Sequence, residues 1–208
     1  MDQSVPLSEI TESLEVKRNF FIFLCAWTVT TFNNYLLMFL VNTYELVYAS
    51  ALSLSVGELI SFLYGSILFI WFGFKGALFL CYAVAALGGM LLLVYGIHDQ
   101  SSPIFPNLIL VTKLGLGCSI QVLFCAHTTF FPEQYAARSY SLCNIFSRII
   151  SVGAPILAQY SGPVPLVVLA GGSTLVLCMI YGLREIDQEE HEPNPFDAAS
   201  SDGETLRK

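Results

Sequence analysis

Three ionisable residues stand inside otherwise apolar runs: Glu58, Lys113 and Arg148. On insertion scales a charge at the centre of a bilayer costs at least ~2.5 to 3.5 kcal/mol, so each must face a polar interior and find a partner. Two cations against one acid leave a surplus positive charge, which favours an anionic group if all three line one cavity. The structural alternative is that Glu58 pairs with Lys113 or Arg148 merely to hold helices together. Three charges outnumber one pair, so the reading leans toward function. Asn34 and Gln121, together with Asn33, add neutral groups that either contact a substrate or bond across helices. His127 lies near one end of its run, where histidine is more often a hydrogen-bonded interfacial residue than a proton relay.

No nucleophile, base and orienting group occur together, and HExxH, P-loop and dinucleotide fingerprints are absent from the sequence, so an enzyme is not expected. The cysteines Cys25, Cys81, Cys118, Cys125, Cys143 and Cys178 lie in apolar stretches without CxxC spacing. They suggest neither a disulfide framework nor a metal site, and no cofactor is expected. A net charge of −7 gives no electrostatic footprint for nucleic acid or anionic headgroups.

The elements that must hold these residues follow from hydropathy. Of 208 residues 55% are apolar and 12% charged, with mean hydropathy +0.65, far from the quarter charged of a soluble domain. Charge collects in residues 1–18 and 184–208, leaving the middle as bilayer material. Runs long enough to span predict six helices: Phe20 to Val41, Val47 to Trp71, Ala77 to Ile97, Ile104 to Phe130, Ser139 to Tyr160 and Val164 to Leu183. The fifth is the most polar and should face the bundle interior, with Pro155 kinking it near its end and freeing a carbonyl near Ser151. Short breaks carrying turn residues predict antiparallel neighbours. Alternation places Lys17, Arg18, Lys75, Arg138, Arg184, Arg207 and Lys208 on one side and no Lys or Arg on the other. By the positive-inside rule both termini then face the cytosol or its equivalent, in an unspecified membrane.

The organisation expected is therefore an all-α polytopic membrane protein with three parts. Residues 1–18 form a polar acidic segment, 19–183 a six-helix transmembrane bundle, and 184–208 an acidic flexible tail. The polar start before the first span suggests a complete short chain. The tail includes Asn194-Pro195-Phe196, a tripeptide of the kind endocytic adaptors read, though a solvated linker is the plainer reading.

With these landmarks the chain resembles the C-terminal half of a major facilitator superfamily transporter, specifically the organic cation, anion and carnitine branch. Lys17-Arg18 followed by Trp27 looks like the start of that branch's seventh helix, and Glu58 stands fifteen residues before Gly73, as its eighth-helix glutamate precedes the glycine of the next loop. Lys113-Leu114-Gly115 is similar to its tenth-helix Gly-Lys-Phe-Gly stretch. Lys113 lies nineteen residues before Pro132, Pro132 sixteen before Arg148, and Arg148 seven before Pro155, all as in the family pattern. Of the cytosolic loop motifs Gly73, Lys75, Pro132 and Arg138 remain, while Trp71 and Phe72 occupy places of Asp and Arg, Thr129 that of a glutamate and Ala136 that of an arginine. Asn34 stands where a tyrosine is usual.

The resemblance implies that Glu58, Lys113, Arg148, Asn34 and Gln121 face a substrate cavity and that Arg148 resembles the arginine of anion and carnitine carriers. In that superfamily the site lies between two six-helix halves near the midplane. The chain therefore implies a homodimer, a partner half-transporter or a larger membrane complex. Two functions follow: a half-size carrier of a small organic anion or zwitterion, or an accessory subunit derived from such a carrier.

Overall fold

The computed structural model describes residues 14–98, 102–130, 133–160 and 162–182. They are helical almost throughout, with no strand among the described residues. Helix α1 (Leu14–Leu40) ends in a 3₁₀ turn (Val41–Thr43) and is followed by α2 (Val47–His98), α3 (Phe105–Phe130), α4 (Glu133–Ser151), α5 (Ala154–Ala158) and α6 (Val164–Ile180). Four segments, at Lys17–Thr43, Val47–Gly96, Phe105–His127 and Ala137–Ala158, are long and apolar enough to cross a membrane. They fit an integral membrane protein.

Helix α2 has 52 residues, which as a straight rod would reach about 78 Å, far beyond a ~30 Å hydrocarbon core. It breaks at Gly73, whose φ of +66° and ψ of 178° lie outside helical values. Close approaches to α3 show how its two limbs run. In the first limb (47–72) a β-carbon on Gly57 would fall 3.0 Å from Lys113 Cγ, and one on Gly65 2.5 Å from Gln121 Cβ, so numbers rise together and the limb is parallel to α3. In the second limb (74–98) Cys81 and Ala85 meet Gly115, Gly88 meets Thr112 and Gly96 meets Phe105, so the numbers run in opposite directions. The limbs are thus antiparallel, and the expected turn over residues 73–76 contracts to Gly73, with helix resuming through Lys75.

Small residues set these distances. A β-carbon on Gly115 would sit 2.8 Å from both Ala85 Cα and Cys81 O, so nothing larger than hydrogen fits between the two backbones. This is how bilayer helices gain packing where hydrophobicity cannot drive them together.

Helix α1 packs on α4, α5, α6 and α3. Gly172 approaches Val29, Asn33 donates from Nδ2 to Leu169 O at 3.0 Å and to Ser173 Oγ at 3.1 Å, and Gly182 approaches Ile22. Numbers run oppositely, so the start of α1 and the end of α6 lie at the same end of the bundle. The buried core has two clusters, one around Phe23, Trp27, Tyr82 and Leu123 and one around Leu36, Leu37, Leu92, Phe105 and Leu169. Outward faces carry exposed Leu59, Phe62, Leu63, Ile145 and Ile149, as lipid contact requires.

The fifth expected span departs from a kinked rod. Helix α4 stops at Ser151, Val152 and Gly153 form a turn, and α5 restarts with Pro155 in its first turn. Proline has no N–H to give the Ser151 carbonyl, so the ladder opens there. The last apolar helix, α6, has 17 residues, about 25 Å. The outer segments 1–13 and 183–208, including the NPF tripeptide and the acidic tail, lie outside the described residues.

Candidate functional site

Helical spacing brings polar groups of four segments to one layer. On α1, Trp27, Thr31, Asn34 and Tyr35 follow at intervals of four, three and one, so all four lie on one face. On α4, Tyr140, Asn144 and Arg148 succeed each other every four residues. On α3, Lys113 faces the first limb of α2 at Gly57, where the missing side chain leaves room for the lysine stem.

The Lys113 ammonium is the junction. Its Nζ donates to Asn34 Oδ1 at 2.5 Å and forms an ion pair with Glu58 Oε2 at 3.2 Å. The two sides of the pair are unequal, since the Lys113 side chain is 6% exposed and that of Glu58 52%. Helices α1, α2 and α3 are thus tied through one cation, and Glu58 keeps an open side.

Arg148 stands apart from this pair. It is exposed, its Nη1 donates to the Tyr35 hydroxyl, and its Cζ lies 5.5 Å from the centre of the Tyr35 ring. Among the described residues it makes no ion pair. With Asn34, Tyr35, Thr31 and Asn144 it lines a groove of about 130 Å³ whose remaining wall combines the aromatic Trp27, Phe124 and Tyr140 with Ile120, Leu123 and Thr30. Trp27 meets Phe124 at 5.0 Å and Tyr140 at 5.4 Å, both edge to face. Below them His127 is buried, with Nδ1 3.2 Å from Leu123 O and its ring edge-on to Phe23 and Trp27. A guanidinium fork above an aromatic wall is suited to a small planar or carboxylated group.

Of the residues read as cavity candidates, the structure joins Glu58, Lys113 and Asn34 and sets Arg148 in the neighbouring groove. Gln121 falls elsewhere: it packs on Gly65, about two turns along α3 from Lys113, and does not line the groove. Pro155 opens α5 beside the break, Gly73 is the fold-back point, and Lys75 and Arg138 are exposed. Pro132 lies outside the described residues. Asn33, one position from Asn34, bonds across helices to α6, the structural of its two expected roles.

Asn144 contributes to the polarity that turns the fifth span toward the bundle interior, whereas Tyr35 and Tyr140 were not singled out by sequence reasoning, though two four-residue intervals from Arg148 through Asn144 mark Tyr140. A second polar chain was also missed. Tyr82 donates to Ala26 O at 2.8 Å and bonds Thr30, whose hydroxyl lies 3.3 Å from that of Ser119, tying α1, α2 and α3 inside the core. Among the described residues no three His, Cys, Asp or Glu side chains converge as a metal would need. In comparisons with known proteins, no family model matches the chain, and no curated protein matches it significantly.

Proposed function

We propose that the chain is one six-helix half of a membrane carrier, completed by a second half and moving a small organic anion or zwitterion. Counting the limbs of α2 separately, and α4 with α5 as one interrupted pass, supports six passes, and the basic residues of the loops support termini on the cytosolic side. The observation that carries the reading is Arg148, an exposed guanidinium in the middle of an apolar segment, without an acid of its own among the described residues. Such a group is tolerated beside a polar cavity or a partner and is costly against lipid. Lys113 is neutralised by Glu58, so the anion preference falls to Arg148 and the aromatic groove beside it. The α4–α5 break gives the segment carrying Arg148 a joint, as gating helices require.

A second reading, an accessory subunit of a larger membrane assembly, draws on Trp71 and Phe72. Both are strongly exposed, at 78% and 56%, where the resembling carriers place charged residues of a gating loop. A hydrophobic loop end packs on a neighbour more readily than it switches salt bridges.

One experiment separates them. The full chain is extracted in mild detergent, its particle mass measured, and the particle reconstituted into liposomes for uptake of labelled organic carboxylates, betaines and cations. A carrier shows uptake of carboxylates or betaines that Arg148→Ala abolishes without changing particle mass. No uptake from an intact particle, or dissolution of a large complex by Arg148→Ala, refutes the carrier and favours the subunit.

A further inference from the structure

A cavity of about 550 Å³ lies away from the charged layer, at the opposite end of the bundle from the start of α1. It is enclosed by the C-terminal end of α1, the end of the second limb of α2, α5 and the start of α6. Leu40 and Leu166 line it from the buried side, and Thr43, Tyr44, Gln159 and Tyr160 contribute its polar groups. None of its lining residues among those described is charged. A volume of several hundred Å³ with apolar walls and a few polar groups is the usual make-up of a small-molecule site.

Tyr44 gives this cavity a specific demand. Its ring is 6% exposed and packs edge to face on Phe105 at 4.6 Å. Its hydroxyl is buried without a hydrogen-bond partner among the described residues. A buried hydroxyl left without a partner is costly, and an acceptor that it meets by a small shift of the side chain toward the cavity recovers that cost. Thr43 Oγ1 donates to Leu40 O at 2.7 Å and keeps its lone pairs for a donor.

We propose that this cavity binds a neutral amphiphile, a compact apolar body bearing one hydroxyl or carbonyl, with Tyr44 as the polar anchor. An anion is disfavoured because the described lining has no cation, and a cation because it has no acid. The ligand reaches the site either from water or from the adjoining leaflet, since the cavity sits at the helix ends. The assignment stands apart from the carrier reading, because it uses none of Glu58, Lys113 or Arg148.

The test is photolabelling of the full chain in phosphatidylcholine nanodiscs with three diazirine probes: an octanol added from water, a sterol placed in the bilayer, and an octanoate as charged control. Labelled peptides are mapped by mass spectrometry. The octanol, the sterol or both should label residues 40–44 and 158–166, and unlabelled octanol should compete; octanol alone indicates an aqueous ligand and sterol alone a bilayer lipid. Tyr44→Phe should lower occupancy about twofold to tenfold, the range of one hydrogen bond, and Thr43→Trp or Gln159→Trp should block the cavity from its exposed rim. Label spread evenly over the exposed faces overturns the proposal. So does equal labelling by octanoate, or unchanged occupancy in Tyr44→Phe.

Discussion

Replacing Glu58 by Gln should harm the fold more than replacing Lys113 by Met, although both remove the same ion pair. The reason is the unequal burial of the partners. Without the Glu58 carboxylate, Lys113 keeps its charge 6% exposed, with Asn34 Oδ1 as its remaining strong acceptor at 2.5 Å. Breaking a buried pair by removing one member costs about 3–5 kcal/mol when the survivor has no other partner. Asn34 and the amide oxygen introduced by the substitution recover part of this, leaving about 2–3 kcal/mol. Lys113→Met instead leaves Glu58, half-exposed and free to turn to its open side, while the methionine stem still fills the space against Gly57. That change should cost under about 1 kcal/mol. At roughly 2–4 °C per kcal/mol for a chain of this size, Glu58→Gln lowers the melting temperature by about 4–12 °C and Lys113→Met by at most a few degrees. The double variant should melt near Lys113→Met alone, because the stranded charge is gone. With the exposed Cys178 and the partly exposed Cys25 and Cys125 replaced by Ser, a thiol-reactive dye reads the transition, since Cys81, Cys118 and Cys143 are buried in the folded protein. A double variant no more stable than Glu58→Gln, or a Lys113→Met that melts lowest, would refute this account of the pair.

Gly73→Ala should destabilise by about 1–3 kcal/mol although nothing lies within 4 Å of the added carbon, because φ +66° with ψ 178° is a conformation essentially reserved for glycine, and Gly73→Asn should cost about as much, since asparagine tolerates positive φ only at helical ψ; the same dye melt compares the two. Gly115→Val should separate α3 from the second limb of α2 and yield aggregated or early-melting protein in size-exclusion chromatography, whereas Gly171→Ala, with nothing within 4 Å, should remain monodisperse. Asn33→Leu removes both bonds to α6 and should cost about 0.6–1.7 kcal/mol, the measured range for polar bonds between bilayer helices; the shift of the dye melt measures it. On the carrier reading proposed above, Tyr35→Phe takes the hydroxyl from Arg148 but leaves the ring beneath it, so anion uptake into liposomes should weaken without disappearing.

Hydropathy made the helices legible because burial in lipid is written as continuous apolar length, and most boundaries followed. The reading slipped where backbone geometry decides. Gly73 turns the chain within one residue because glycine reaches φ +66°, so four expected loop residues became one hinge and three helical positions. The fifth span breaks rather than bends because Gly153 precedes Pro155 closely enough for the lost hydrogen bond and the flexible residue to act together. At the site, charge marked Glu58, Lys113 and Arg148, but pairing is a tertiary matter. Gln121 shares a helix with Lys113 and still misses the groove, while Tyr35 enters it from a stretch whose composition gives no sign of it.

The two cations differ in a way that bears on which of them acts. Lys113 is buried, paired and bonded to Asn34, so releasing it would strand a charge among three helices. It is suited to hold the layer together whichever function the chain performs. Arg148 is held by the Tyr35 hydroxyl and ring alone among the described residues, and both are interactions a carboxylate outcompetes. It also sits three residues before the end of α4, next to the break with α5, where a small rotation of the helix end moves the guanidinium without disturbing the Lys113 junction. A carrier needs one charge that stays and one that can exchange partners, and a structural subunit needs only the first. The decisive comparison is therefore Arg148→Lys, which keeps the charge but loses the planar fork: a binding role for the fork predicts lost anion selectivity in an intact particle, and a purely structural charge predicts no change.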